Sequence, residues 1–296
     1  MDAVTSIAHT TTTAIIARTT AAPPNEQTDS CDLRNSKFAL PMPLNNIFSA
    51  SVGLSHRHHR PELMDQSELD RLKHHSALTG LRRLNLASGV CYQLCKELTL
   101  YSRLRQVSRL RVLDIASGGG DVLFGVWKLA QQRGLDLEIL GLDISATACE
   151  FAMERCQSAG GSIVFEQCDV TRGFIHRGFD VVTCSLFLHH LTCDQATNLL
   201  VRMASAGRLL LANDLRRCVS GYLIAQLACR CLTRSPIVRY DGPQSVANAF
   251  TLSEMRKLCM AAGLADATVR KAWPLIFRRQ MNSCGLPARW LNISPR

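Results

Sequence analysis

From residue 106 onward the chain switches between two periods. Short apolar runs read as buried strands: "LRVLDIA" (110–116), "LEILGLDIS" (137–145), "SIVFEQCDV" (162–170), "FDVVTCSLFLHHL" (179–191) and "RLLLANDL" (208–215). Between them lie segments with apolar residues every three or four positions. "DVLFGVWKLAQQRG" (121–134) has helical spacing and a glycine stop, "SATACEFAMERCQSAGG" (145–161) opens on Ser145 as N-cap, and "CDQATNLLVRMASAG" (193–207) is the third such helix. Strict alternation predicts an α/β fold, a doubly wound, mostly parallel sheet with helices on both faces. Ligands of such sheets bind at the carboxyl ends of the strands. The tail "ATVRKAWPLIF" (267–277) adds the last strands, antiparallel at the sheet edge, to give a seven-stranded sheet.

The flanks are less regular. Residues 1–58, rich in Thr, Ala and Pro, read as a disordered extension, with a poor signal peptide at the start. Residues 59–105 form an N-terminal helical segment: Pro61, an acidic first turn and Leu63, Leu69 and Leu72 mark one helix start, and a second helix is expected from Leu86 to Leu104. The histidines at 56 and 58–59 and the pair His74/His75 read as a solvated basic stretch rather than metal ligands. Residues 106–296 form the main domain, whose C-terminal section from about 215 covers the ligand site. There "VSGYLIAQLACRCLTRS" (219–235) is an apolar helix carrying Leu223, Ile224, Leu227 and Leu232. It packs into the core, covers an apolar pocket or touches a membrane surface. "IVRYDGPQSVANAF" (237–250) reads as a loop, and Thr251 with Glu254 forms a capping box.

Composition narrows the partners. The net charge of +10 is uneven: residues 211–296 hold 13 basic against 4 acidic residues, while the rest is nearly balanced. A basic third of this kind suits an anionic substrate or a peripheral membrane contact as well as RNA. The thirteen cysteines are scattered, and Cys168, Cys184 and Cys259 lie in apolar runs, which points to free thiols and a cytoplasmic location. Cys91/Cys95 and Cys229/Cys231 lack zinc-knuckle spacing, so no metal is expected.

The chemistry concentrates in "RVLDIASGGGDV" (111–122). A strand ends in Asp114, Ala116 and Ser117, and Gly118, Gly119 and Gly120 then let a ligand approach the backbone just before a helix N-terminus. Asp143 closes the next strand, 23 residues after Gly120, where a carboxylate can take a ribose diol. A dinucleotide fingerprint would need a small residue where Leu123 stands, which argues against NAD. The order Asp-x-Ala-x-Gly-x-Gly, "LGLDIS", "CDV", "FDVV" and "LLLANDL" resembles class I S-adenosylmethionine-dependent methyltransferases, which have a Rossmann-like fold. That resemblance covers about residues 80–275 and implies S-adenosyl-L-methionine as cofactor. It places Asp114 and the loop Ala116–Gly120 near the methionine moiety, Asp143 on the ribose, Asp169 on the adenine amino group and Val170 beside the ring, with Ile144 and Ser185 also among the cofactor residues.

The fourth strand lacks both the Asn-Pro-Pro-aromatic run of exocyclic-amine methyltransferases and a Pro-Cys nucleophile, which weakens a nucleic-acid target. "SLFLHHL" resembles instead the small-molecule enzymes of ubiquinone and menaquinone biosynthesis, and "NDLRR" through "TLSEM" resembles a polyketide- and phenolic-lipid-associated subgroup. The implied acceptor is a small hydroxylated, aromatic or quinone-like molecule. His189 or His190 is the candidate base or orienting group, with Asp214 holding a histidine, contacting the acceptor or pairing with Arg216 or Arg217. Tyr222, Arg239, Tyr240 and Asp241 are candidate acceptor contacts, against a purely structural turn at Asp241-Gly242-Pro243. RNA- or protein-directed methylation, and a catalytically silent cofactor-binding protein, are the alternatives.

Overall fold

A computed structural model describes residues 54–57, 59–65, 70–271 and the backbone of a strand at 276–282; of the extension read at 1–58, residues 1–53 and 58 lie outside the described residues. The central sheet has the order β3-β2-β1-β4-β5-β7-β6. Its parallel part is β1 (Arg109–Ile115), β2 (Asp136–Asp143), β3 (Val164–Gln167), β4 (Phe179–Ser185) and β5 (Gly207–Leu215). β6 (Thr268–Lys271) and β7 (Ile276–Asn282) run antiparallel, with β7 inserted between β5 and β6.

Alternation along the strands loads both faces with apolar side chains. Leu110, Val112, Ile139, Val181, Leu209 and Leu211 pack with α2 (Val90–Arg105), α3 (Asp121–Gln131) and α4 (Ala146–Ser158). Leu113, Ile115, Val182, Cys184, Leu210 and Ala212 pack with α5 (Cys193–Ala206) and α8 (Leu252–Ala261) on the opposite face. The capping boxes Thr192/Gln195 and Thr251/Glu254 start α5 and α8. The described cysteines form no disulfide, and Cys184 and Cys259 are buried apolar thiols.

Three local expectations give way. The helix expected from Pro61 begins at Arg71 as α1 (Arg71–Ala87), where Asp70 accepts the Leu72 and Lys73 N–H groups as N-cap. Upstream, Arg57 and residues 59–65 form a strap that closes in a single 3-10 turn at Leu63–Asp65. The segment read as a loop is helix α7 (Pro236–Asn248), with Pro236 in its first turn and Pro243 inside. Its buried side includes Asp241, Ser245 and Asn248, so it lacks the apolar period that marks an ordinary helix. α6 (Val219–Leu232) buries Gly221, Ala225 and Cys229 and leaves Leu223, Ile224 and Leu227 exposed, which reverses the expected core packing of its large residues.

Candidate functional site

Beyond β1 the backbone enters the left-handed region three times, at Ala116 (φ +56°), Gly118 (φ +53°) and Gly120 (φ +70°). Alanine pays a steric cost there that glycine avoids, on the order of 1–2 kcal/mol. The loop is held by Ser117 N–H donating to the Leu142 carbonyl at 2.9 Å and Gly120 N–H to the Ser117 carbonyl at 3.0 Å. A Cβ at Gly120 would meet the Phe165 ring at 2.7 Å, whereas one at Gly118 would meet nothing within 4 Å. The loop is therefore packed from below and open at Gly118.

Asp143 ties β2 to this loop. Its Oδ2 accepts the Gly118 N–H at 2.7 Å and its Oδ1 the Ser145 N–H at 2.9 Å, while burial raises its pKa. The next residue, Ile144, is 64% exposed. Under the loop, Asp114 is buried against the Thr183 hydroxyl, and burial pushes its carboxyl up to about 7. Ser117 and Ser185 carry buried hydroxyls without a hydrogen-bond partner among the described residues, at the carboxyl ends of β1 and β4. Unpaired buried hydroxyls are rare in a finished protein. Together with the open Gly118, the Asp143 carboxylate and the exposed Ile144, they fit a polar, ribose-bearing cofactor. Asp169 starts a turn: its Oδ1 accepts the Thr171 N–H at 2.9 Å and hydroxyl at 2.6 Å, and the hydroxyl bond lowers its pKa. Val170 is buried in the core.

A second cluster stands at the ends of β4 and β5. Leu186 adopts φ +58°, a strained conformation for a bulky residue, and swings the chain into a 3-10 turn at Leu188–His190. Asp214, near the end of β5, holds His189 twice, accepting its backbone N–H at 2.9 Å and its Nδ1 proton at 2.6 Å. This fixes the Nδ1–H tautomer and leaves the Nε2 lone pair available. The expected pairing of Asp214 with Arg216 or Arg217 is replaced: Arg217 is buried on Glu254 at 2.6 Å and on the carbonyls of Leu54 and Ala249. His190 donates from Nδ1 to Asp65 at 2.8 Å. Burial opposes its charge, but the Asp65 hydrogen bond and the charges of Glu62, Asp65 and Asp214 outweigh it and push the ring up to about 9.

The strap covers this cluster. Arg57, read from sequence as solvated, lies over the Phe250 ring at 3.9 Å and donates to the carbonyls of His189 (2.9 Å), Leu191 (2.6 Å) and Asn248. Asn248 binds the Arg60 backbone at both its N–H (3.1 Å) and its carbonyl (2.8 Å), and Asp241 accepts the N–H groups of Leu63 (2.9 Å) and Met64 (3.0 Å). Glu62 is buried beside His189 and receives the Ser245 hydroxyl at 2.8 Å. Sequence reasoning missed Arg57, which stood in a basic stretch, and Glu62 and Asp65, whose signal was an acidic turn after Pro61. Of the acceptor candidates, Asp241 anchors the strap, Arg239 braces the C-terminus of α6 through the Thr233 and Arg230 carbonyls, Tyr240 is exposed and Tyr222 half-buried on α6. The structure does not gather these four at the histidines. A separate cavity of about 410 Å³ is lined by Arg83, Arg230, Arg234, Arg239 and residues 231–233, none of them part of the glycine loop or the histidine cluster.

Residues 112–208 match the family model described as a methyltransferase domain. Among solved structures, the chain is similar to the plantazolicin methyltransferase BpumL in complex with SAH, at 13% identity and a TM-score of 0.54, covering 80% of this chain and 96% of that one. The same enzyme with a triazolic desmethylPZN analog and SAH aligns at 14% identity and a TM-score of 0.55, covering 80% and 98%. No curated protein matches the chain. Sheet order, glycine loop and family match together define a class I methyltransferase. The chain carries a methyltransferase domain on this fold and is an S-adenosylmethionine-dependent methyltransferase.

Proposed function

We propose that the enzyme methylates a hydroxyl group of a small aromatic, polyketide- or quinone-like acceptor. The observation that carries this reading is the His189–Asp214 pair at the ends of β4 and β5. Bound S-adenosylmethionine supplies an electrophilic methyl group. Ala116–Gly120, Asp143 and Ile144 hold the cofactor, Ser117 and Ser185 are available to hydrogen-bond it, and Asp169 with Val170 takes the adenine. Asp214 orients His189 so that Nε2 works on the acceptor hydroxyl, the group that must lose a proton during transfer. The exposed Leu223, Ile224 and Leu227, followed on α6 by Arg230, favour a lipid-like or acidic aromatic acceptor.

The test follows label from methyl-labelled cofactor in a native small-molecule extract, with protein and RNA fractions in parallel. Label is expected in an organic-soluble product. Asp214→Asn is expected to cut turnover about 10²-fold or more while cofactor affinity stays within about twofold, and Asp143→Ala to abolish calorimetric cofactor binding. Label in RNA or polypeptide would replace the acceptor class, and binding without transfer to any fraction would make the protein a silent cofactor binder.

A further inference from the structure

Glu62, His189 and His190 each offer one ligand atom, and these atoms all lie within 4.8 Å of one another. His189 Nε2 lies 3.7 Å from Glu62 Oε1, and His190 Nε2 lies 3.9 Å from Glu62 Oε2. Both separations exceed a hydrogen bond. The other nitrogen of each ring is taken by its own carboxylate, Asp214 for His189 at 2.6 Å and Asp65 for His190 at 2.8 Å. Two imidazoles whose Nδ1 protons point outward to carboxylates, and whose Nε2 atoms converge on a third carboxylate, form the arrangement that surrounds a bound metal ion. Glu62, Asp65 and Asp214 bring three negative charges to the two rings against the positive charges of Arg57 and the His190 ring, so a cation takes the place of the His190 Nε2 proton and its binding releases that proton.

We propose that Glu62, His189 and His190 form a binding site for a divalent first-row transition cation, with Asp214 and Asp65 fixing the two rings. Two nitrogens and a carboxylate suit Zn²⁺ or a neighbour in the series rather than Ca²⁺ or Mg²⁺. Tetrahedral zinc with bonds of about 2.0–2.1 Å sets its ligand atoms about 3.3–3.4 Å apart. The two histidine–carboxylate separations, 3.7 and 3.9 Å, exceed that spacing by about half an ångström, and the whole set of ligand atoms, within 4.8 Å of one another, closes by at most about 1.5 Å. Three protein ligands would leave one position for the acceptor oxygen; with the cation bound, His189 would act through it rather than as the base, and the hydroxyl proton, made more acidic, would leave to water as the oxygen takes the methyl group. This role rests on the proposed hydroxyl acceptor; the site itself does not. It commits the His189 lone pair to the cation and gives the strap a chemical task, because Glu62 reaches the histidines only when Arg57 and residues 59–65 are in place.

The experiment titrates Co²⁺ into chelator-treated full-length protein and follows visible absorption and binding heat, with S-adenosylmethionine affinity measured on every sample. One equivalent is expected, with bands of nitrogen and oxygen coordination. Glu62→Gln and His190→Gln are each expected to weaken Co²⁺ at least tenfold while cofactor affinity is kept, which separates loss of the site from loss of the fold. No saturable binding, binding with thiolate charge-transfer bands from the cysteines, or equal affinity in both variants would overturn the site. Intact Co²⁺ binding in a protein that methylates no small hydroxylated acceptor would leave the site standing and remove the proposed function.

Discussion

Single residues carry two kinds of strain at the site, one of backbone and one of charge. Ala116 and Leu186 hold left-handed backbone that glycine would adopt at less cost, and both lie where a strand ends and the site begins. Asp114 carries electrostatic strain, since burial raises its carboxyl to about 7 even though the Thr183 hydroxyl donates to it. Below about pH 4 this group is neutral whether the chain is folded or unfolded. Between there and about 7 the folded state keeps its proton longer, so its contribution to stability is full on the acid side and is lost as pH rises through 7. The cost of ionising it is on the order of 2–4 kcal/mol. Asp114→Asn, which keeps an acceptor for Thr183, is expected to flatten the fall in thermal midpoint between pH 5 and pH 8, measured by calorimetry without cofactor. Parallel pH profiles for variant and wild type would show that Asp114 does not titrate in this window. The glycine loop, Asp143 and Asp214 were legible at this scale because each sits at a fixed offset from a strand end. Glu62 was not, because an acidic residue after a proline reads first as a helix start.

Elements differ in how openly they announce themselves. The strands and α3 to α5 follow from period alone, since both faces of a parallel sheet demand apolar side chains. α7 fails that test because its inner side is polar: Asp241, Ser245 and Asn248 are buried against the backbone and Glu62 of the strap. Strap and helix therefore satisfy each other, and neither is explained without the other. Asp241→Ala removes the acceptor for two N–H groups and is expected to destabilise the protein by about 1–3 kcal/mol. It should also raise hydrogen exchange at residues 59–65, while β1 to β5 stay protected. Unchanged exchange in the strap would mean that Arg57 and Asn248 hold it alone. α6 follows another logic, with Gly221, Ala225 and Cys229 inward and its large aliphatic residues outward. A Cβ at Gly242 of α7 would collide with the Cys229 sulfur, so the small inward residues allow these helices to approach closely.

The whole molecule joins a conventional cofactor half to a cover assembled from its two ends. Ligand binding to the folded state alone must stabilise the whole molecule. S-adenosylmethionine at 100 times its dissociation constant is expected to add about 2.7 kcal/mol, or about 5–10 °C of thermal midpoint for a domain of this size. Asp143→Ala should show no such shift, and a shift of equal size in both proteins would move the ribose contact elsewhere. The basic third of the chain also changes meaning at this scale. Arg217 is spent inside on Glu254 and two carbonyls, and Arg239 braces a helix end, so the surplus is not simply a surface for nucleic acid. No helix among the described residues is long and apolar enough to cross a membrane. The sequence by itself determined the parallel sheet, the direction of its ligand-binding edge and the glycine loop with its acidic partner. Each of these follows from residues a few positions apart whose period or spacing has one physical solution. Only the tertiary structure decided that Arg57 and Glu62 close over His189, more than a hundred positions downstream. A buried polar group needs a partner but does not say which one, and that choice is made when the chain returns on itself.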